Sequence, residues 1–301
     1  MATARRTAAA VRRRWRTGRI AGRARVSPEQ IVWIFGFARS GTTWLAGMLR
    51  DATRGRGWNE PLVGALFGEF YVQRDADQQP AEFILSTAHR DTWLPSIRDI
   101  VLKGAGARFP RLTRGQYLII KEPNGLVGAP LLSAALPESR MVLMLRDPRD
   151  VAASALDANR TGAWTAEVVR PRMDVAALAE SDPDTFVRQV AEFYRDSIHL
   201  ARTSLDSHRG PKALVRYEDL RREPAGGLRR ICTALDLPAR DEDLDAAVSK
   251  HTWEAIPQER KGPGKFHRKA TPGAWTEDLT RDQARTVEQV TGSVLAEFYP
   301  S

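Results

Sequence analysis

A strand, a glycine-bounded loop and a helix follow one another near residue 40, and this unit constrains the fold more than any other feature. Residues 31–37 (IVWIFGF) form a short apolar run with a β-branched start, which is typical of a buried strand. Gly36 and Gly41 bound the loop, and a helix is predicted over 42–50. Further strands are predicted at 117–120, 141–145 and 213–215, and helices at 148–156, 182–206, 224–235 and 280–298. Strands that alternate with helices predict an α/β fold with a central, mostly parallel sheet flanked by helices.

Two segments, 52–116 and 157–185, show less regular patterns, with several Pro, Gly and aromatic residues. They are predicted to be surface loops or the walls of a substrate pocket. Variable loops over a rigid sheet commonly carry specificity, so both interpretations stay open at this point.

The composition excludes several classes of protein. The chain has 301 residues, of which 42% are hydrophobic and 28% charged, an ordinary globular balance. Cys232 is its one cysteine, which excludes an intramolecular disulfide and a four-thiolate zinc site. No stretch approaches the roughly 18 consecutive apolar residues of a membrane span. We therefore expect a cytoplasmic protein without a metal site.

The net charge of +9 is concentrated at the N-terminus. Nine arginines precede Glu29, the first acidic residue, and the remaining 37 basic residues balance 37 acidic ones. We therefore predict a basic arm over 1–28 and one folded domain over 29–301, with no nucleic-acid partner. The arm is interpreted as solvated, and the open alternative is contact with an anionic membrane surface or another polyanion. The oligomeric state cannot be predicted from these features.

The loop after the first strand differs from the nucleotide phosphate loop, G-x-x-x-x-G-K-[ST], in one telling position. Gly36 and Gly41 have the required spacing and Thr43 supplies the final hydroxyl, but Thr42 stands in place of the lysine. Backbone N–H groups at a helix N-terminus can still hold a phosphate. The missing lysine would reach the outer phosphates of a triphosphate, so a nucleotide with another reactive 5′ group is favoured. A kinase or NTPase of the phosphate-loop type remains the alternative.

A second anion-binding pattern follows the third predicted strand. Arg146 directly follows that strand, and Ser154 lies eight residues later on the next predicted helix. Arginine offers a planar fork of donors that matches a phosphate, and a hydroxyl near a helix start can approach the same anion. Lysines are rare in this chain, yet Lys261, Lys265 and Lys269 crowd into one segment near the C-terminus.

These strings resemble sulfotransferases that use 3′-phosphoadenosine-5′-phosphosulfate (PAPS), over roughly residues 31–275. RSGTTWL at 39–45 resembles the 5′-phosphosulfate loop in the arginine form found in carbohydrate and tyrosylprotein enzymes. RDPRDVAAS at 146–154 resembles the 3′-phosphate motif, and VRYEDL at 215–220 resembles a Y-E-D-L segment. FHRKATPGAW at 266–275 resembles F-x-R-K-G-x-x-G-D-W, except that Ala270 replaces the first glycine and Ala274 the aspartate.

The resemblance implies a three-layer fold of the phosphate-loop type, PAPS as cofactor and adenosine 3′,5′-bisphosphate (PAP) as product. It implies contact with the 3′-phosphate for Arg146, Ser154, Arg268 and Lys269, and a place near the adenine for Tyr217. The residues it implies in cofactor binding are Arg39, Ser40, Gly41, Thr42, Thr43, Trp44, Arg146, Ser154, Tyr217, Arg268 and Lys269.

The resemblance also implies the catalytic groups. The arginine-loop enzymes place a glutamate about twenty residues beyond the loop, and here Glu60 lies 21 residues after Arg39, in WNEPL. Glu60 is therefore the predicted general base, with Glu122 and His89 as alternatives. Arg39 and Lys121 are predicted to stabilise the transferring group, although an ion pair between Lys121 and Glu122 would explain that lysine equally well.

The predicted reaction is sulfuryl transfer to a hydroxyl of a carbohydrate, lipid or other small-molecule acceptor. Besides the kinase, a non-catalytic polyanion-binding protein and a sulfotransferase without a working base remain open.

Overall fold

The computed structural model describes residues 26–73, 83–160, 162–163 and 173–300. Residues 1–25 of the predicted basic arm lie outside the described residues. The described chain begins with Val26, which is already packed into the core.

A five-stranded sheet forms the centre of the protein, and every pair of neighbouring strands is parallel. Its order is β2-β3-β1-β4-β5. The strands are β1 (Ile31–Gly36), β2 (Arg56–Asn59), β3 (Leu118–Lys121), β4 (Arg140–Leu145) and β5 (Lys212–Arg216). Because β1 lies in the middle, all six of its residues are buried, as expected of a parallel strand covered on both faces.

Helices cover both faces of the sheet. They are α1 (Thr42–Ala52), α2 (Val63–Gln73), α3 (Arg90–Arg108), α4 (Ala129–Ala135), α5 (Pro148–Ala158), α6 (Met173–Ser181), α7 (Pro183–Ser207), α8 (Tyr217–Arg222), α9 (Pro224–Ala234), α10 (Asp241–Lys250), α11 (Trp275–Asp278), α12 (Arg281–Val290) and α13 (Gly292–Phe298). One core cluster joins a face of the sheet to α3, α4 and α7, and a second joins the other face to α1, α9 and α10. The predicted three-layer α/β fold is therefore confirmed.

The prediction for the irregular segment 52–116 was wrong in part. It contains the edge strand β2 and the 19-residue helix α3, whose Trp93, Ile97 and Val101 are buried in the core. The predicted helix over 280–298 is two helices, separated at the buried Thr291. Among the described residues no helix is both long and apolar enough to cross a bilayer.

Candidate active site

The loop between β1 and α1 forms a backbone cradle at a helix N-terminus. A Cβ at Gly36 would lie 2.7 Å from the Met144 carbonyl oxygen, so only glycine fits there. Gly41 has φ +88° and stands before the first residue of α1, with no side chain capping the helix. The uncapped N–H groups at the start of α1 therefore point into the loop, where they favour an anion.

Ser40 carries an unusual buried hydroxyl inside this cradle. The residue is fully buried, and its Oγ has no hydrogen-bond partner among the described residues. The Nε atom of the buried Arg146 likewise has none. Buried polar groups are rarely left without a partner, so these two atoms fit a bound anion such as a phosphate or sulfate group.

Arg39 links the loop to the predicted 3′-phosphate motif. Its Nε donates to Ser154 Oγ at 2.9 Å, and its Nη2 donates to the Phe266 carbonyl oxygen at 2.9 Å. Burial, together with the positive charges of Arg146 and Arg268, lowers the pKa of Arg39 to about 10. Arg39 is still cationic at neutral pH, and an anion between these three guanidinium groups would relieve their repulsion.

Arg146 lies just beyond the carboxyl end of β4 and is fixed from several sides. Its Nη1 donates to the Arg39 carbonyl oxygen at 2.9 Å, and its own carbonyl oxygen accepts a 2.6 Å hydrogen bond from the Tyr194 hydroxyl. Its guanidinium group lies 4.7 Å from the centre of the Tyr217 ring. The structure thus brings together Arg39, the pair Arg146 and Ser154, and Tyr217, which come from three separate parts of the sequence.

Asp150 anchors the C-terminal segment to this group. It is fully buried on α5, 3.7 Å from Arg146 Nη2. Its two oxygens accept hydrogen bonds from the backbone N–H groups of Gly273 at 2.9 Å and Trp275 at 3.1 Å. The same carboxylate therefore holds the predicted phosphate-binding arginine and the segment that was predicted to close over the cofactor.

Arg268 and Lys269 lie at the cleft but also contact acidic side chains. Arg268 Nη1 donates to Asp278 at 2.6 Å, and Lys269 Nζ donates to Asp278 at 2.9 Å and to Glu277 at 3.0 Å. Asp278, the last residue of α11, thereby orients both cationic side chains. Because an arginine has five donors and a lysine three, each retains donors for an anion.

Ala270 stands where the family that this chain resembles has glycine. Its backbone adopts a conformation that favours glycine. Its φ is +55°, and its carbonyl oxygen accepts from the Tyr217 hydroxyl at 3.2 Å and from Arg221 Nε at 3.3 Å. A left-handed backbone costs a non-glycine residue about 1–2 kcal/mol in the folded state. Substitution by glycine recovers only part of this cost, because glycine also raises the conformational entropy of the unfolded chain. Ala270→Gly is therefore expected to raise the free energy of unfolding by about 0.5–1 kcal/mol in chemical denaturation.

Gly273→Ala is the matched control for that change. Gly273 has φ +80°, and a Cβ there would meet no atom within 4 Å, so backbone strain is its main cost. It is expected to lower the free energy of unfolding by a similar amount, about 0.5–1 kcal/mol. Shifts of equal sign in the two variants would contradict this account of the segment.

On the other side of the loop, Glu60 and Lys121 form a close ion pair. Lys121 Nζ donates to Glu60 Oε1 at 2.5 Å and to Thr43 Oγ1 at 3.1 Å, and Asn124 Nδ2 donates to Glu60 Oε2 at 3.1 Å. The lysine side chain is 7% exposed and the glutamate side chain 39%. The alternative pairing of Lys121 with Glu122 is wrong, because the carboxylate that Lys121 contacts belongs to Glu60.

The two alternative bases lie elsewhere. Glu122 is fully buried, and its Oε1 accepts a 3.0 Å hydrogen bond from the backbone N–H of Val63. His89 is exposed just before α3. Of the three candidates, Glu60 alone lines the cleft.

Glu122 predicts a pH-dependent stability. Burial raises the pKa of its carboxyl to about 7, the hydrogen bond from Val63 opposes this, and the charge of Glu60 adds to it. A carboxyl group whose pKa is raised on folding contributes stability that is fully present below its unfolded pKa of about 4.5. This contribution is lost as the pH rises through the folded pKa of about 7. Between pH 5 and 8 the free energy of unfolding of the wild type is expected to fall relative to that of Glu122→Gln, by on the order of 2–3 kcal/mol.

Chemical denaturation of both proteins across this pH range measures that difference. The amide of Glu122→Gln stays neutral, so subtraction removes the contributions of other titrating groups. Parallel stability curves for the two proteins would show that Glu122 does not titrate in this range.

The cleft has an aromatic end, where Trp44 and Tyr217, which the resemblance implied, lie with Trp253 and Ile256, which sequence reasoning missed. The rings of Trp44 and Tyr217 meet edge to face at 5.9 Å, and Trp44 Nε1 donates to the His251 carbonyl oxygen at 2.9 Å. Apolar and aromatic side chains around a slot fit a planar ring such as a nucleobase. The tryptophan shortly after α10 was the available signal.

These parts enclose a single cleft of about 780 Å³ at the carboxyl ends of the strands. Open parallel sheets bind ligands at this edge. The cleft combines three elements: the cradle with its arginines, the aromatic end and the Glu60–Lys121 pair. Within the described ranges no group of three or more His, Cys, Asp or Glu side chains is placed to hold a metal ion.

Comparisons with known proteins agree with this geometry. The model of the sulfotransferase family matches residues 31–242. No curated protein matches the chain. The mouse sulfotransferase SULT7A1 complexed with PAP has a similar fold, with a TM-score of 0.55 at 12% identity over 91% of this chain and 90% of that one.

Two further solved structures share the fold. Retinol dehydratase in complex with androsterone and the inactive cofactor PAP gives a TM-score of 0.51 at 16% identity, over 90% of this chain and 81% of that one. The sulfotransferase STF9 from Mycobacterium avium gives 0.51 at 14% identity, over 92% and 78%.

Proposed function

Because this chain belongs to the sulfotransferase family, we propose that it transfers a sulfuryl group from PAPS to a hydroxyl of a carbohydrate, lipid or other small-molecule acceptor. One observation carries the proposal: Arg39 contacts Ser154 through its side chain and Arg146 through its carbonyl oxygen, so the loop after β1 and the segment 146–154 adjoin in one cleft. The chain therefore has both the family match and a cleft with donors for two separate anionic groups.

The donor half of the cleft would hold the nucleotide. Ser40, the N–H groups at the start of α1 and Thr43 fit the 5′ group, since Ser40 Oγ is buried without a partner among the described residues. Arg146 and Ser154, with Arg268 and Lys269 from the C-terminal segment, fit the 3′-phosphate. The slot beside Trp44 and Tyr217 fits the adenine. PAPS, when bound, supplies the sulfuryl group and a leaving phosphate oxygen.

The catalytic residues act on the two ends of the transfer. Glu60 accepts the proton of the acceptor hydroxyl as general base. Arg39 is a fixed cation beside the site where negative charge grows on the leaving oxygen, and such a cation stabilises the transition state selectively. Lys121 contacts both Glu60 and Thr43, so it can hold the resting base and also stabilise the transferring group.

The acceptor would enter beside Glu60, whose Oε2 accepts a hydrogen bond from Asn124. The lining of the whole cleft also includes the apolar side chains of Phe37, Ala38 and Ala158. These side chains support an acceptor with some apolar surface. The presence of androsterone in the retinol dehydratase complex supports a small-molecule acceptor. We also propose that the protein resides in the cytoplasm. Contact of the basic arm with an anionic membrane surface is the alternative.

Calorimetric titration of the full chain with PAP, with ADP as the comparison and EDTA present, tests the donor half. PAP is expected to bind at least 100-fold more tightly than ADP, because charge-assisted hydrogen bonds to the 3′-phosphate add about 1.5–3 kcal/mol each. Equal affinities, or tighter binding of ADP in a parallel titration with magnesium and without EDTA, would reject PAPS in favour of the kinase or NTPase alternative. Binding of neither nucleotide would favour the polyanion-binding alternative.

A further inference from the structure

The turn that carries Glu60 has a strained backbone. Glu60 has φ +50° and Leu62 has φ +62°, although neither is glycine. Such conformations cost about 1–3 kcal/mol each and persist only when the surrounding structure fixes them. The question is what holds this turn at the mouth of the cleft.

The anchors come from the segment that follows β3. The backbone N–H of Glu60 donates to the Lys121 carbonyl oxygen at 2.8 Å. The helix α2, which follows the turn, packs on 123–128 at backbone distance: a Cβ at Gly64 would lie 2.4 Å from the Gly125 carbonyl oxygen. The position of Glu60 therefore depends on the chain from Lys121 to Gly128.

The side chain of Glu122 stabilises this contact by a hydrogen bond. Its Oε1 accepts from the N–H of Val63, the first residue of α2, at 3.0 Å, and its own backbone N–H donates to the Ile34 carbonyl oxygen at 3.0 Å. Oε2 has no hydrogen-bond partner among the described residues, and the residue is fully buried. Glu122 thus ties the start of α2, through its carboxyl group, to the central strand, through its backbone N–H, and it does not line the cleft.

We propose that Glu122 is the positioning residue of the base: its hydrogen bond to Val63 holds the strained turn so that Glu60 meets Lys121 and Asn124 at the cleft. This rests on the proposed role of Glu60 in sulfuryl transfer. A shift of about 1 Å in a catalytic group can lower the rate about 100-fold, so the loss of this one contact has a measurable effect.

Two variants separate positioning from mere filling of space. Glu122→Gln keeps an oxygen acceptor for the Val63 N–H, whereas Glu122→Leu fills a similar volume without one. Glu122→Leu is expected to lower kcat about 100-fold with the KM for PAPS and the Kd for PAP unchanged, while Glu122→Gln stays within about threefold of the wild type. PAP release from PAPS, with 2-naphthol and octyl β-glucoside as probe acceptors, measures the rates.

Hydrogen exchange of the full chain gives a readout that does not depend on activity. Peptides over 61–69 are expected to exchange at least about tenfold faster in Glu122→Leu than in Glu122→Gln, with α3 unchanged, since the lost contact is local. Equal exchange in the two variants overturns the positioning role. So does a kcat in Glu122→Gln as low as that of Glu122→Leu, which would mean that the charge is what matters.

The two proposals fail in different ways. A wild type that binds no PAP and transfers to neither probe refutes the sulfotransferase proposal, and the exchange comparison then still decides whether Glu122 anchors the turn. A wild type that transfers normally, with Glu122→Leu equally active, refutes the positioning role alone.

Discussion

Replacing Glu60 with glutamine is expected to lower kcat for sulfuryl transfer by about 10²–10⁴-fold and to leave the Kd for PAP within about threefold. The amide keeps an oxygen that can accept a hydrogen bond from Lys121, so the buried ammonium group keeps a hydrogen-bond partner although it loses its counter-charge. What the variant loses is the ability to accept a proton. The comparison of kcat with PAP affinity separates the loss of the base from damage to the cofactor site.

Glu69→Gln is the matched control for this variant. Glu69 is exposed on α2, nine residues from Glu60, and does not line the cleft. The same change of carboxylate to amide there is expected to leave kcat unchanged. A Glu60→Gln enzyme that keeps the wild-type rate would assign the base to another group.

Replacing Arg146 with methionine is expected to weaken PAP binding about 100-fold or more while ADP affinity changes little. The guanidinium group of Arg146 is one of the donors proposed for the 3′-phosphate, and ADP has no such phosphate. Calorimetry with both nucleotides therefore measures the loss as a smaller difference between the Kd for PAP and the Kd for ADP. Arg149→Met is the matched control, since Arg149 pairs with Asp147 and Glu288 and does not line the cleft.

Ser154→Ala provides a second route to the same site. Arg146 lies beside the buried Asp150, and its removal leaves that carboxylate poorly compensated, which can prevent folding. The serine variant removes one neutral donor and is expected to weaken PAP binding about tenfold. Full selectivity for PAP in this variant, together with a folded Arg146→Met that still discriminates, would move the 3′-phosphate site elsewhere.

The central strands were predictable because burial on both faces requires continuous apolar runs. β2 was not, because it lies at the sheet edge and three of its four residues are exposed, so burial left no apolar pattern there. Helix α3 had a usable signal in Trp93, Ile97 and Val101, which follow one another at four-residue spacing. The proline inside that helix, Pro95, and its polar exposed face obscured the period.

The site was predictable where a motif is local and less so where it depends on strand pairing. The cradle and the Arg146 motif each lie within about ten residues, so sequence spacing alone brought their members together. The partner of Lys121 depended on β2, which pairs in parallel with β3 so that Asn59 lies opposite Lys121 and Glu60 follows. Without that strand, the ion-pair partner of Lys121 could not be identified from sequence, although the resemblance already favoured Glu60 as the base.

The strand order also separates two kinds of evolutionary change. The two proposed phosphate motifs follow β1 and β4 in the interior of the sheet, whereas Glu60 follows the edge strand β2. An edge strand has one bonded neighbour, so the turn after β2 depends on the segment after β3 and not on β1 and β4. The compounds that such a protein modifies can therefore diversify through paired changes in these two segments, while the loops after β1 and β4 are inherited intact. A loop grafted after β2 would have to keep the close packing of α2 on residues 123–128.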